Sequence, residues 1–440
     1  MRATKNYTNS SKHLFDRLCD RLCVCISLAI LACFLLAPNA RAGGLWMYEQ
    51  ANSDMGMANA GRAASALDAS TAFGNPAAMT VLDRSQLVTG VLGISPTTKF
   101  DVDSSTHNGG GGGDAGYFSP SGSFAYVHRA TDRLRLGIFA GSYFGLGLDY
   151  DNKWSGRYYV QNASYITMCL NPSIGYKLND HWSIGGGVSL VGGKMSTDVA
   201  INTLKPGNAD GRLEYDDMAI GFGYNLGILY ELNSETRFGL TYRSEVDLDF
   251  KDKPDIKDNG GLPGDLPNLG KRTLGIDTTI PRAMMFSVWH ELTPKLALSA
   301  NVGWQDWSQF GMPEISVNGA GINRSLTADL DYHDTWHVAF GGQYRIAPKW
   351  LISAGIAYDT SPIKSSKKRS PILPLDRQIR YATGLQHELT KDITIGGSFE
   401  FIDAGKSRIN QAGGLTKGSL KGEYDTNYIT ILNLHMIWKF

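Results

Sequence analysis

The sequence predicts an all-β fold, a transmembrane antiparallel β-barrel of about fourteen strands plugged from within by its own N-terminal segment. Three observations lead there. The final stretch, Tyr428 to Phe440, alternates: Tyr428, Thr430, Leu432, Leu434, Met436, Trp438 and Phe440 form one face, and Asn433, His435 and Lys439 fall on the other. Period two with one apolar face is a strand between two environments, and a terminal aromatic ring suits a lipid–water boundary. A soluble sandwich could also end this way, so the other two observations decide. A short polar reversal recurs six times and alternates with seven long loops. No stretch after residue 42 has eighteen consecutive apolar residues, which excludes a helical membrane protein but not a barrel, whose strands alternate.

Residues 1–42 read as a secretory signal. Arg2, Lys5, Lys12, Arg17 and Arg21 make the basic region, Leu22 to Ala37 the apolar core, and Ala40-Arg41-Ala42 the cleavage site. Lipoprotein acylation at Cys33 is the rival, but the apolar run continues through Phe34-Leu35-Leu36. Cleavage removes four cysteines and leaves Cys169, so no internal disulfide or thiolate metal cluster is expected. Removing six basic and two acidic residues from a balanced 42 and 42 leaves a net charge of about −4, and nothing suggests a nucleic-acid partner.

Residues 43–84 are rich in Ala, Gly, Met and Ser without period two. Ala58 to Ala69 could form a short helix; Asn75-Pro76-Ala77 must break it, because Pro76 lacks an amide donor and restricts Asn75. The segment is too short and too poor in large apolar residues to fold alone, so it needs something to pack inside or against. Glu49-Gln50, Met55-Gly56, Ala60-Gly61-Arg62-Ala63-Ala64, Asp68-Ala69-Ser70, Asn75-Pro76-Ala77 and Met79-Thr80 resemble, in order and spacing, the N-terminal hatch of the FadL family. These are outer-membrane transporters of long-chain fatty acids and other hydrophobic compounds in Gram-negative bacteria.

Residues 85–440 carry the barrel. Reversals at Tyr126–Arg133, Tyr176–Trp182, Tyr230–Glu235, His290–Lys295, Tyr344–Trp350 and His387–Asp392 are tight hairpins. The long loops lie near 103–117, 146–160, 199–213, 251–271, 309–331, 360–375 and 404–422. Short turns on one side and long loops on the other are the habit of bacterial membrane barrels. Trp182, Trp350 and Trp438 fit an aromatic girdle at the short-turn side; Tyr143, Phe144, Trp304 and Trp336 fit the outer one. Leu134, Leu136, Ile138 and Ala140 alternate with Arg133, Arg135, Gly137 and Phe139; Phe238, Leu240 and Tyr242 alternate with Arg237, Thr241 and Arg243. The arginine parity belongs in the lumen, since a charge at mid-bilayer costs roughly 2–4 kcal/mol. The resemblance continues through Asp149–Tyr158, Trp304–Phe310 and Gly355–Pro362.

Enzyme chemistry has little support. His290-Glu291 and His387-Glu388 lack the second histidine of a zinc-protease motif, and the Gly109–Gly113 run has no following Lys-Ser/Thr. No catalytic residue, metal or cofactor is expected. A general porin would need an open polar lumen, which a plug of small and apolar residues denies it.

What the resemblance implies is passive, ligand-gated uptake: capture at the outer loops, hatch rearrangement, and lateral exit at a kinked third strand. The expected partners are a long-chain fatty acid or other hydrophobic small molecule, and the lipid and lipopolysaccharide around a monomer. Asn75, Pro76 and Ala77 are the expected gating reversal. Gly137 and Gly141 would bend the third strand, about Arg133 to Gly145, or merely relieve crowding. Candidate substrate contacts are Arg133 and Arg243 by inward parity, Phe139 as apolar lining, and Lys194, on a strand similar to one that contributes a basic residue in the family. Lys194 has the wrong parity counted from Ile184, which a bulge at Gly192-Gly193 would correct. Fatty acid, alkane and aromatic hydrocarbon all remain open as substrates.

Overall fold

The computed structural model describes residues 46–205, 209–257, 262, 266–319 and 322–440; the expected signal sequence lies outside them. Among the described residues no helix is long and apolar enough to cross a membrane. Fourteen strands form the wall. They are β1 (Gln86–Ser105), β2 (Ser119–Arg129), β3 (Leu134–Gly141, resumed as Gly145–Asp149), β4 (Asn162–Lys177) and β5 (Trp182–Ile201). Next come β6 (Gly211–Glu231), β7 (Thr236–Arg243), β8 (Ala283–Thr293), β9 (Leu296–Gln305) and β10 (Thr335–Ala347). The ring ends with β11 (Trp350–Asp359), β12 (Gln378–Glu388), β13 (Ile393–Asp403) and β14 (Ser419–Lys439). Each pairs antiparallel with its neighbours in sequence, and β14 closes on β1 from Gln86↔Lys439 onward. Closure leaves no free edge, which is the condition for strands to lie in lipid.

The period-two pattern decides which residues face out. On β6, Met218, Ile220, Phe222, Tyr224 and Leu226 are exposed, while Ala219 and Asn225 between them are buried. On β14, Leu432 and Leu434 are exposed, while Ile431, Asn433 and His435 are buried. At the short-turn side Trp182 packs on Tyr230, Trp350 on His387 and Trp438 on Phe440. Beyond the wall on the long-loop side, Val246–Asp252, Thr273–Ile280, Glu314–Gly319 and Ile322–Thr327 form a separate four-stranded sheet.

The N-terminal segment packs against inward-facing side chains of this wall. The helix expected over 58–69 does not form, because Ala58, Asn59, Gly61 and Ala66 all take positive φ (51°, 59°, 82° and 47°), a sign change no right-handed helix tolerates. Short turns replace it: 3-10 helices at Asp54–Met57 and Pro76–Val81, and one α turn at Thr71–Gly74. Asn75 is extended and caps the last 3-10 helix, with Pro76 at its first position, where a missing amide costs nothing.

Candidate functional site

Asn75 ties the N-terminal segment to itself and to the wall. Its Nδ2 donates to the carbonyls of Ala63 (2.6 Å) and Ile228 (3.1 Å), and its Oδ1 accepts from the Ala77 amide (3.1 Å). The wall makes room with glycine. Gly175, Gly185 and Gly227 stand in direct register across β4, β5 and β6, and a Cβ on any of them would collide with Asn75, Pro76 or Ala77. Across the lumen Gly341 and Gly355 pair between β10 and β11, where a Cβ would meet the backbone of Met57. Two glycine rows on opposite walls thus let backbone approach backbone.

The third strand is broken directly after Gly141 and not at Gly137. Gly137 is regular strand and faces inward under Met79 and Ala72, so it relieves crowding rather than bending the chain. Gly141 is the last residue before the break, which spans Ser142, Tyr143 and Phe144. Pairing with β4 slips by one residue across it, from Gly141↔Cys169 to Gly145↔Ile166. Pairing with β2 stops at Ser123↔Gly141, so no ladder joins Ser142–Leu148 to β2. Tyr143 and Phe144, expected in the outer girdle, turn inward and are buried. The start of the N-terminal segment covers the break: the Met47 amide donates to the Tyr143 carbonyl (3.0 Å), and Trp46 bridges to Phe144.

Beside this cover lies a cavity lined by Trp46, Tyr48, Arg62, Phe73, Arg243 and Gln305, among others, with a volume of about 40 Å³. That holds about one or two waters at ~30 Å³ each, so a long apolar chain enters only if something moves. Arg243 projects from the end of β7 over the Phe73 ring (3.8 Å) and the Tyr143 ring (4.9 Å). It donates to the Phe73 carbonyl (3.4 Å), its Nε finds no partner, and no carboxylate among the described residues pairs with it. Phe139 stacks on Phe73 at 4.3 Å. Rings continue outward from Phe73 through Tyr143 (5.4 Å), Trp46 (6.0 Å), Phe144 (6.4 Å) and Phe310 (5.5 Å) to Tyr332 (6.4 Å).

Two ion clusters hold the covering strip, residues 46–50. Arg62 donates to the Tyr48 carbonyl (3.2 Å), Asp54 (3.0 Å), Asn59 (3.3 Å) and the Gln50 side chain. Burial lifts the Asp54 carboxyl to about 6, against the opposing pull of Arg62. On the far side Arg380 meets Glu49, Asp359 (2.9 Å) and Glu400 (3.7 Å), and His337 meets Asp359 (2.9 Å).

Of the residues the sequence singled out, Phe139, Arg243, Asn75, Pro76 and Ala77 come together around this segment. Arg133 and Lys194 do not. Arg133 has the right parity but lies in the exposed turn before β3; its neighbour Arg135 is the buried one, donating to the Leu82 carbonyl. Lys194 faces outward and pairs with Asp216 (3.1 Å), because β5 and β6 keep register from Trp182↔Tyr230 to Ile201↔Gly211 with no bulge to turn it in. Arg62, Arg380 and the strip 46–50 were missed as site residues. Inward parity, the rule that picked Arg243, would also have picked Arg380 and Glu400.

Comparison with known proteins agrees with this architecture. Over 430 residues the chain is 27% identical to a long-chain fatty acid transport protein of Escherichia coli O6:H1, covering 90% of this chain and 95% of that one. It is 25% identical over 423 residues to outer membrane protein P1 of Haemophilus influenzae, covering 86% and 90%. Among solved structures, a Pseudomonas aeruginosa FadL homologue superposes with a TM-score of 0.79 at 21% identity, over 90% of this chain and all of that one. The Ralstonia pickettii toluene transporter TbuX gives 0.63 at 17% identity, over 90% and 99%. The family model for outer membrane protein transport proteins (OMPP1/FadL/TodX) matches residues 33–440, and the chain therefore belongs to that family of Gram-negative outer-membrane transport proteins.

Proposed function

We propose that the protein carries long-chain fatty acids, or apolar acids like them, passively across the outer membrane as a monomer, with residues 43–84 acting as a movable hatch. Lipopolysaccharide presents a polar, crosslinked layer that apolar solutes cross poorly, so a shielded path is needed. The observation that carries the acid reading is Arg243, a half-buried guanidinium over two aromatic rings at the cavity, with no carboxylate of its own among the described residues. A cation drawn partly out of water without a counter-ion is unfavourable, and an entering carboxylate supplies one while its chain follows the apolar rings. Asn75, Pro76 and Ala77 seat the hatch, and hatch movement opens the break at Ser142–Phe144 for sideways exit into the membrane. Arg133 and Lys194 have no part in this path.

The run of rings from Tyr332 to Phe73 favours a second reading, uptake of an aromatic hydrocarbon, and TbuX is a toluene transporter. Binding measurements with dodecanoate, dodecanol and toluene separate the two. Arg243→Met should weaken dodecanoate at least tenfold, the equivalent of the ~1.5–3 kcal/mol of a charge-assisted hydrogen bond, and leave dodecanol unchanged. Equal loss for acid and alcohol, or tight toluene binding with no acid binding, overturns the acid reading in favour of the hydrocarbon.

A further inference from the structure

The cavity has two guanidiniums on its lining, Arg243 from the wall and Arg62 from the N-terminal segment, and they are differently engaged. Arg243 has no acid partner among the described residues. Arg62 has one, Asp54, and spends its remaining donors on neutral acceptors: the Tyr48 carbonyl, Asn59 and the Gln50 amide oxygen. Tyr48 and Gln50 belong to the strip that also holds Met47 on the Tyr143 carbonyl and Trp46 beside Phe144, at the break in β3. Trp46, Met47, Tyr48 and Gln50 of the strip line the same cavity, and Arg62 is the charged side chain that ties the strip to the rest of the N-terminal segment there.

Building on the acid reading, we propose that Arg62 couples ligand to gate: a carboxylate held by Arg243 draws the Arg62 guanidinium away from Tyr48 and Gln50, and that exchange frees the strip covering the break. The exchange runs in this direction because a carboxylate is the stronger acceptor, a charge-assisted bond being roughly twice a neutral one. Asp54 stays on Arg62 throughout, so the guanidinium keeps one anionic partner in both states. The strip then loses its tie on the hatch side while Arg380 keeps Glu49 on the far side, so it swings rather than leaves. An alcohol of the same length fills the same apolar space without moving Arg62.

The test uses the full protein in detergent with Cys169→Ser and Met47→Cys, reading maleimide labelling of the introduced thiol together with dodecanoate and dodecanol binding. Dodecanoate should speed labelling tenfold or more and dodecanol should not. Gln50→Glu gives Arg62 a charged partner on the strip. Gln50 also lines the cavity, so labelling is compared at saturating dodecanoate, where it should stay slow, an uncoupling that a purely structural role for Arg62 does not produce. Arg62→Met should label fast without any ligand. If dodecanoate still speeds labelling of the Gln50→Glu protein, or Arg62→Met stays slow, the coupling is wrong while the acid reading stands. If dodecanoate binding is absent, or indifferent to Arg243→Met, both fall.

Discussion

Arg380, buried, and Arg243, half-buried, both lie on the lumen face of the same barrel, and their surroundings are opposite. Arg380 is crowded by three carboxylates, Glu49, Asp359 and Glu400, with His337 behind Asp359. Arg243 has two aromatic rings, one carbonyl and no carboxylate. The first environment is complete and holds the strip at Glu49 against the wall. The second lacks an anionic partner among the described residues. Burial alone does not mark a binding residue; the missing counter-ion does.

The largest effect should separate the two directly. Arg380→Met leaves the buried Glu49 and Glu400 without their cation while Asp359 keeps His337, and breaking a buried ion pair from one side costs about 3–5 kcal/mol. The midpoint of thermal unfolding in detergent should fall by roughly 10 °C, at about 2–4 °C per kcal/mol for a chain of more than 150 residues. Arg243→Met strands no carboxylate, so its midpoint should hold or rise. Equal destabilisation by the two variants would erase the distinction.

Next in size is the tie between Arg380 and the strip. Glu49→Gln replaces a charge-assisted bond, about 1.5–3 kcal/mol, with a neutral one, and the loss should be felt locally. Labelling of the thiol introduced by Met47→Cys should accelerate tenfold or more without ligand, while the unfolding midpoint moves little. Glu400→Gln makes the contrast: neither oxygen of Glu400 has a hydrogen-bond partner among the described residues, so the substitution should leave both labelling and midpoint near the parent. Faster labelling from Glu400→Gln than from Glu49→Gln would mean that the wall carboxylate, not the one on the strip, keeps the cover shut.

The same contrast shows what a sequence can display. Period two assigns faces, so the inward side of Arg243 and Phe139 and the lipid side of Leu432 and Leu434 were legible. It does not assign height: Arg133 shares the parity of buried Arg135 and still ends in a turn. Nor does it reveal a break. Tyr143 and Phe144 read as girdle aromatics because nothing in Ser142-Tyr143-Phe144 announces that the strand leaves the wall. The glycine rows were invisible for another reason, since Gly175, Gly185 and Gly227 become neighbours only through the register of three strands. Counter-ions are likewise tertiary: Glu49 and Arg380 are 331 residues apart.

The smallest effect concerns a third cation, Lys194, which tests whether a basic residue on a barrel strand is enough to bind an acid. Its ammonium pairs with Asp216 at 3.1 Å, and the side chains are 42% and 59% exposed. An exposed pair of this kind contributes about 0–1 kcal/mol, because water solvates each charge almost as well as the partner does. Unbroken register between β5 and β6 keeps Lys194 outside, away from the cavity. Lys194→Ala should therefore leave dodecanoate affinity within twofold and the unfolding midpoint within about 2–4 °C. Arg133→Ala, in its exposed turn, should do the same. A tenfold loss of dodecanoate affinity in Lys194→Ala would place acid capture on the outer face of the wall. Arg243, for all its place on the cavity lining and its lack of a carboxylate among the described residues, would then be a residue the acid never reaches.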